Sequence, residues 1–134
     1  MLDVKAVLAF PAPDGFLERF ARKHSVPGHT LQKEYASSLF EELKKYLLLI
    51  ASFQLEDPTR RFSPPQAIDL MWHDFISDNT EVYERFCRDN FHIFLHHHAG
   101  QFYPREELRG RAIALGVSLN PAIWDAPEGD PDCG

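Results

Sequence analysis

A long amphipathic stretch between residues 31 and 53 constrains the fold more than any other feature of the sequence. Apolar side chains recur there at the i, i+4, i+7, i+8 and i+11 positions of one helix face, at Leu39, Leu43, Tyr46, Leu47 and Ile50. Thr30 can cap its first turn. The side of this helix that should face solvent carries Glu41, Glu42, Lys44 and Lys45. The stretch therefore predicts a long helix whose apolar face packs within a helical bundle.

Capping and breaking residues mark four further helices. Asp14, Ser63 and Asp78 are residues of the N-cap type that precede apolar helical patterns, and Gly116 follows the last of these patterns. Together these signals predict helices near residues 15–24, 31–53, 64–76, 81–96 and 104–115. The apolar faces of three of these helices place one group of side chains in a shared core, at Leu47, Trp72, Phe86 and Phe94.

These patterns predict an all-α fold. No alternating strand pattern longer than the region around Val4–Phe10 is present, and the sequence contains no internal repeat. We expect a compact bundle of about five helices that forms a single domain over residues 1–134, because a chain of this length makes one ordinary core. Residues 125–134 are rich in acidic residues, Pro and Gly, and are expected to form a flexible tail after Trp124 docks on the bundle.

Composition limits the classes of partner. The 134 residues carry 14 Lys and Arg against 20 Asp and Glu, giving a net charge of −6, which makes the chain a poor ligand for nucleic acid and anionic membranes. Its 2 cysteines cannot form a disulfide framework, which favours a reducing compartment. Neither a signal-peptide pattern nor an apolar run of about 20 residues is present. We therefore expect a cytoplasmic protein with no direct binding to nucleic acid or membranes.

Histidine and cysteine are concentrated between residues 63 and 100. This segment contains Cys87 and five of the 7 histidines, namely His73, His92, His96, His97 and His98. Three imidazoles, or two with a thiolate, can form a tetrahedral site for zinc or a related metal. Asp69 precedes His73 by one helical turn and can orient its ring, as carboxylates behind metal-bound histidines do. The same residues also suit a structural hydrogen-bond cluster.

Three short motifs follow one another in this segment. They read Asp-x-x-Trp-His at residues 69–73, Tyr-x-x-Phe-Cys at residues 83–87 and His-His at residues 96–97. Their order resembles the glycine-rich domain-containing protein-like family, over about residues 36–124, and the resemblance implies an all-helical domain. That family usually has Gly in place of His92 and Pro in place of Ala99. The present chain, with 7 Gly, also lacks the glycine-rich tail.

The resemblance selects a candidate site from the polar residues that match the pattern. This set consists of Asp69, Trp72, His73, Tyr83, Cys87 and His97. Within it, His73, Cys87 and His97 are the candidate metal ligands, zinc is the candidate ion, and Asp69 would lie behind the ligands. Alternatively, His73 and His97 share a buried hydrogen bond, and the set is a structural cluster. The pattern identifies no catalytic residue.

Helix geometry argues against contact between His73 and His97. If a helix over residues 81–96 runs antiparallel to the one before it, the two histidines lie roughly 20 Å apart along the axis. Only a wide crossing angle or a break before His97 would bring the rings together, so Cys87 is the easier neighbour for His73. Side chains more than about 8 Å apart cannot share one metal at ligand distances of about 2.0–2.1 Å.

Two classes of function remain open. The first is a small acidic protein-interaction module, such as an inhibitor or effector, that docks on a basic surface of a partner protein. The second is a metal-binding protein or a metal-dependent hydrolase. In the hydrolase a metal-bound water would be the nucleophile, and Asp69 or Asp74 would orient it or accept its proton. Because no catalytic motif is complete, the sequence favours the first class, a non-enzymatic role and no required cofactor.

Overall fold

The all-α prediction is confirmed. The computed structural model describes residues 2–98 and 105–127, and within these ranges the chain forms seven helices and no β-strand. In chain order the helices are α1 (Val4–Ala9), α2 (Phe16–His24), α3 (Lys33–Glu56), α4 (Gln66–Asp78), α5 (Thr80–Phe91), α6 (Arg105–Leu115) and α7 (Pro121–Trp124). The five predicted helices correspond to α2 through α6. The short helices α1 and α7 are additional to them.

Helix α1 forms where the sequence shows its longest alternating pattern. Asp3 caps the first turn, since its side chain accepts a hydrogen bond from the Ala6 amide at 3.1 Å. Lys44 of α3 satisfies the other end, where its Nζ donates to the carbonyls of Leu8 at 2.6 Å and Phe10 at 2.8 Å. A short helix with both ends satisfied therefore forms in place of a strand.

The long helix α3 lies at the centre of the fold. It packs against α1, α2, α4 and α6, and every residue from Tyr46 to Phe53 is buried. The solvent face predicted from its charges is wrong for Glu42, which is 3% exposed, and for Lys44, which is 2% exposed. The cause is tertiary, because α1 covers Lys44 and the segment at α7 covers Glu42. Both charges are hydrogen-bonded, as buried charges need to be.

Helix α5 ends at Phe91 and does not continue to residue 96. His92 adopts a left-handed conformation with φ 60°, and its amide donates to the carbonyls of Cys87 and Arg88 at 3.1 and 3.2 Å. This geometry closes the C-terminus of a helix. Residues 94–98 are consequently non-helical, and this break determines the site described below.

One hydrophobic cluster includes side chains from all seven described helices. Leu47, Trp72 and Phe86 are buried in it, as predicted, but Phe94 is 38% exposed because it follows the end of α5. Trp124 docks in the core, as expected. Residues 128–134 of the predicted tail lie outside the described residues. None of the described helices combines the length and the apolarity of a membrane-spanning segment.

Candidate functional site

The segment after α5 brings the last histidines back to α4. The start of this segment shows the two-residue burial period of an extended chain. Phe94 is exposed, Leu95 is fully buried and His96 is exposed. Leu95 anchors the segment in the core. His97 consequently lies beside α4, whereas an unbroken helix would have carried it away.

A buried tyrosine fixes this segment to α4. The Tyr83 hydroxyl donates to the Leu95 carbonyl at 2.5 Å and accepts from Trp72 Nε1 at 3.0 Å. Burial raises the pKa of Tyr83 well above its usual value, so the hydroxyl stays a neutral donor. One side chain on α5 therefore joins the Trp72 indole to the backbone that carries the histidines.

His97 is held by two residues of α4. Its Nε2 lies 2.5 Å from Asp69 Oδ1, and its ring centroid lies 4.7 Å from that of Trp72. The predicted pairing of Asp69 with His73 on the same helix is therefore wrong, because the returning segment places His97 against this carboxylate. The pair is partly open to solvent, with side-chain exposures of 27% for His97 and 46% for Asp69.

His73 lies close to His97 after all. The two ring centroids are 6.3 Å apart in an edge-to-face arrangement. The large separation expected for continuous helices does not occur, because α5 ends before the segment. His73 itself is exposed, so the predicted buried hydrogen bond between the two histidines is wrong.

Cys87 lies in the interior, behind the histidines. It is fully buried, and burial raises the pKa of its thiol, while hydrogen bonds with the Leu95 backbone and Tyr83 act in the opposite direction. Within residues 2–98 and 105–127, no three His, Cys, Asp or Glu side chains are arranged to hold a metal ion. The predicted ligand set of His73, Cys87 and His97 is therefore not brought together.

The six pattern residues nevertheless form one connected network. Cys87 contacts Tyr83, Tyr83 bonds Trp72, Trp72 packs on His97, and His97 meets both Asp69 and His73. The network begins in the core and ends at two imidazoles at the surface. The network includes every residue of the pattern, but its contacts differ from those expected of a three-ligand metal site.

Two further imidazole rings lie at the surface end of the network. The His96 and His98 ring centroids are 6.1 Å apart, and both residues are exposed. The pKa of His98 is lowered, first by desolvation and then by the nearby charges of Arg61, His96 and His97. The surface around Asp69 is therefore rich in imidazole rings and has the Arg61 guanidinium nearby.

Sequence reasoning missed the environment of Asp74. This carboxylate is buried and accepts from Lys23 at 3.1 Å and from His24 Nε2 at 2.7 Å, which joins α2 to α4. Asp74, the alternative to Asp69 in the metal-dependent hypothesis, is therefore buried and paired with two residues of α2. Its position three residues after the buried Met71, on the apolar face of α4, is the signal that could have indicated burial.

Fold and site together define a small all-α protein in which buried aromatic residues hold a partly exposed His–Asp pair. Residues 3–114 match the family model described as UCP032817-like. The chain belongs to the UCP032817-like family, whose description names no activity. No curated protein and no solved structure matches the chain.

Proposed function

We propose that this protein is an interaction module that docks on a partner protein through its histidine cluster. The histidine cluster comprises His73, His96, His97, His98 and Asp69. The observation that carries the proposal is the support of His97, which Asp69 and Trp72 fix while the neighbouring rings remain exposed. A surface group that is fixed before binding loses less conformational freedom when a partner binds.

Stability alone does not account for this arrangement. An ion pair as exposed as Asp69 and His97 contributes about 0–1 kcal/mol, because water screens it. The hydrogen bonds from Trp72 to Tyr83 and from Tyr83 to the Leu95 carbonyl lie in the core and do not involve His97. The core would therefore keep these bonds without a histidine at the surface. The geometry thus favours a role for the pair beyond folding.

The charge of the cluster indicates the chemistry of the partner. Net charge alone suggested a basic partner surface, but the cluster adds Arg61 to four imidazoles and contains one carboxylate. The N–H groups of the imidazoles and the Arg61 guanidinium suit an acidic group on the partner. We therefore expect docking on an acidic protein segment that weakens as salt increases.

Site-specific crosslinking tests the proposal in the native host. A photoreactive residue placed at His73 should crosslink one partner, whereas the same residue at Ile113, which is 81% exposed on α6, should not. The purified partner is then titrated against variants. We expect His97→Ala and Asp69→Asn to weaken binding about tenfold or more, while Arg22→Ala, which removes an exposed cation on α2, leaves it within about twofold.

Two outcomes would reject docking at this surface. One is equal crosslinking from positions 73 and 113. The other is unchanged affinity in a folded His97→Ala variant. Circular dichroism of each variant, measured before the titration, separates loss of binding from loss of fold.

A second candidate function is acid–base chemistry, and the 2.5 Å contact between Asp69 and His97 favours it. A carboxylate that orients an imidazole is the usual support of a general base. Ester or phosphoester hydrolysis that is lost in Asp69→Asn and His97→Ala alike would support this candidate. The zinc-dependent version stays a prediction, and elemental analysis of protein purified without a histidine tag tests it.

A further inference from the structure

A cavity lies beside the first turns of α4, where Gln66, Ala67 and Leu70 contribute to its lining. It has a volume of about 560 Å³ and opens between the start of α3, the start of α4 and the end of α7. We call it the Tyr35 groove, defined by Tyr35, His29, Ala67, Leu70 and Ile123. A smaller depression of about 360 Å³ also contains Tyr35 and His29 and extends the groove along the 29–32 loop.

The lining of the Tyr35 groove is mostly apolar. Ile123 is buried, Ala67 and Leu70 are partly buried, and Pro127 closes one side. The described lining contains no acidic side chain. Cavities of about 300–1,000 Å³ with apolar walls and a few polar groups are typical of small-molecule sites.

Three polar residues line the groove, namely His29, Tyr35 and Gln66. Tyr35 is 39% exposed, its hydroxyl makes no hydrogen bond to any described residue, and desolvation raises its pKa. The His29 backbone is fixed by two hydrogen bonds with Val26 at 2.9 and 3.0 Å, while its side chain is exposed. A hydroxyl donor and an imidazole therefore line the same cavity as the apolar side chains.

We propose that the Tyr35 groove binds a small aromatic carboxylic acid. Its ring packs against Leu70 and Ile123, and its carboxylate accepts a hydrogen bond from the Tyr35 hydroxyl and faces the His29 imidazole. A carboxylate suits this lining because it contains a hydroxyl donor and an imidazole and no acidic side chain. This site is independent of docking at the histidine cluster, since none of its residues belongs to that cluster.

Titration with 2-naphthoate tests the groove. Isothermal calorimetry of the full chain should give saturable binding with a Kd on the order of 1 mM or tighter. Leu70→Trp fills the groove and should weaken binding at least tenfold. Tyr35→Phe removes the hydroxyl and should weaken it about fivefold to tenfold. The neutral analogue 2-naphthalenemethanol should bind wild type more weakly than the acid by a similar factor.

A matched control distinguishes binding in the groove from nonspecific hydrophobic binding. Ile113→Trp adds the same large side chain at an exposed position of α6 and should leave binding unchanged. Ala67→Phe is a second filling variant if Leu70→Trp does not fold. The proposal is overturned if wild type shows no saturable binding, if a folded filling variant binds as wild type does, or if Ile113→Trp weakens binding equally. Equal affinity for the acid and the alcohol would also overturn it.

Discussion

A single buried carboxylate, Glu42, holds α7 onto the central helix. It accepts from Trp124 Nε1 at 3.0 Å, from the Asn120 amide at 2.8 Å and from Lys45 at 2.7 Å. Glu42→Ala leaves the buried Trp124 indole and the partly buried Asn120 amide without an acceptor, so we expect unfolding free energy to fall by about 3 kcal/mol. Urea denaturation monitored by Trp fluorescence measures the change.

The control for this prediction is an exposed glutamate. Glu84→Ala on α5 removes the same side chain from the surface and should alter stability by no more than about 0.5 kcal/mol. A loss below about 1 kcal/mol in Glu42→Ala would show that the carboxylate does not anchor the closing segment.

At the residue scale the sequence grouped side chains that the fold connects, but it did not predict what they contact. All six pattern residues lie in one network, yet Asp69 pairs with His97 and not with His73. Glu42 and Cys87 show the same limit, since their partners lie on α7 and on the segment after α5. Helical periodicity identifies the face that a residue occupies, but the element that covers this face comes from the tertiary fold.

At the element scale the end of α5 decides where the histidines lie. The predicted helix over 81–96 follows from apolar spacing, which continues through residue 94, and no Pro or Gly interrupts it. The break depends on His92 adopting φ 60°. The one sequence hint was the resemblance, because a family that usually has Gly at this position would favour a left-handed residue there.

This account predicts the effect of placing glycine at position 92. His92→Gly should raise stability by about 0.5–1 kcal/mol, because a left-handed conformation is strained for residues that have a Cβ. His92→Val should lower it by about 1 kcal/mol, since a β-branched side chain tolerates positive φ poorly. Urea unfolding compares both variants with wild type. Equal effects of Gly and Val would mean that the break does not depend on this backbone conformation.

At the scale of the whole molecule the aromatic core contributes most to stability. Phe86 is buried, and its ring centroid lies 4.6 Å from that of Phe10 and 5.4 Å from that of Phe91. We expect Phe86→Ala to cost about 3–5 kcal/mol, from lost burial and the cavity left behind. Phe94→Ala, at a position the sequence wrongly placed in the core, should cost less than about 1 kcal/mol. Equal costs in thermal or urea unfolding would contradict this assignment.

Two buried tyrosines make the stability of the fold depend on pH in the alkaline range. The Tyr46 hydroxyl donates to the Phe62 carbonyl at 3.2 Å, and that of Tyr83 donates to the Leu95 carbonyl. Burial is the largest cause that raises both pKa values above the usual value near 10. Above about pH 10 the unfolded chain therefore loses these protons while the folded chain keeps them.

The sign of the pH dependence follows from this difference in bound protons. Because the unfolded state binds fewer protons above about pH 10, the contribution of these two tyrosines to the unfolding free energy should be constant below that pH and fall above it. The slope should approach about 1.4 kcal/mol per pH unit for each tyrosine. Tyr46→Phe removes one of the two groups and should reduce the slope by up to that amount. Lys23, Tyr35 and Cys87, whose pKa values are also raised, add slopes of the same sign in both proteins, so the difference between them isolates Tyr46. Urea titrations between about pH 8 and pH 11 measure both slopes, and identical slopes would show that Tyr46 ionises as readily in the folded protein as in the unfolded chain.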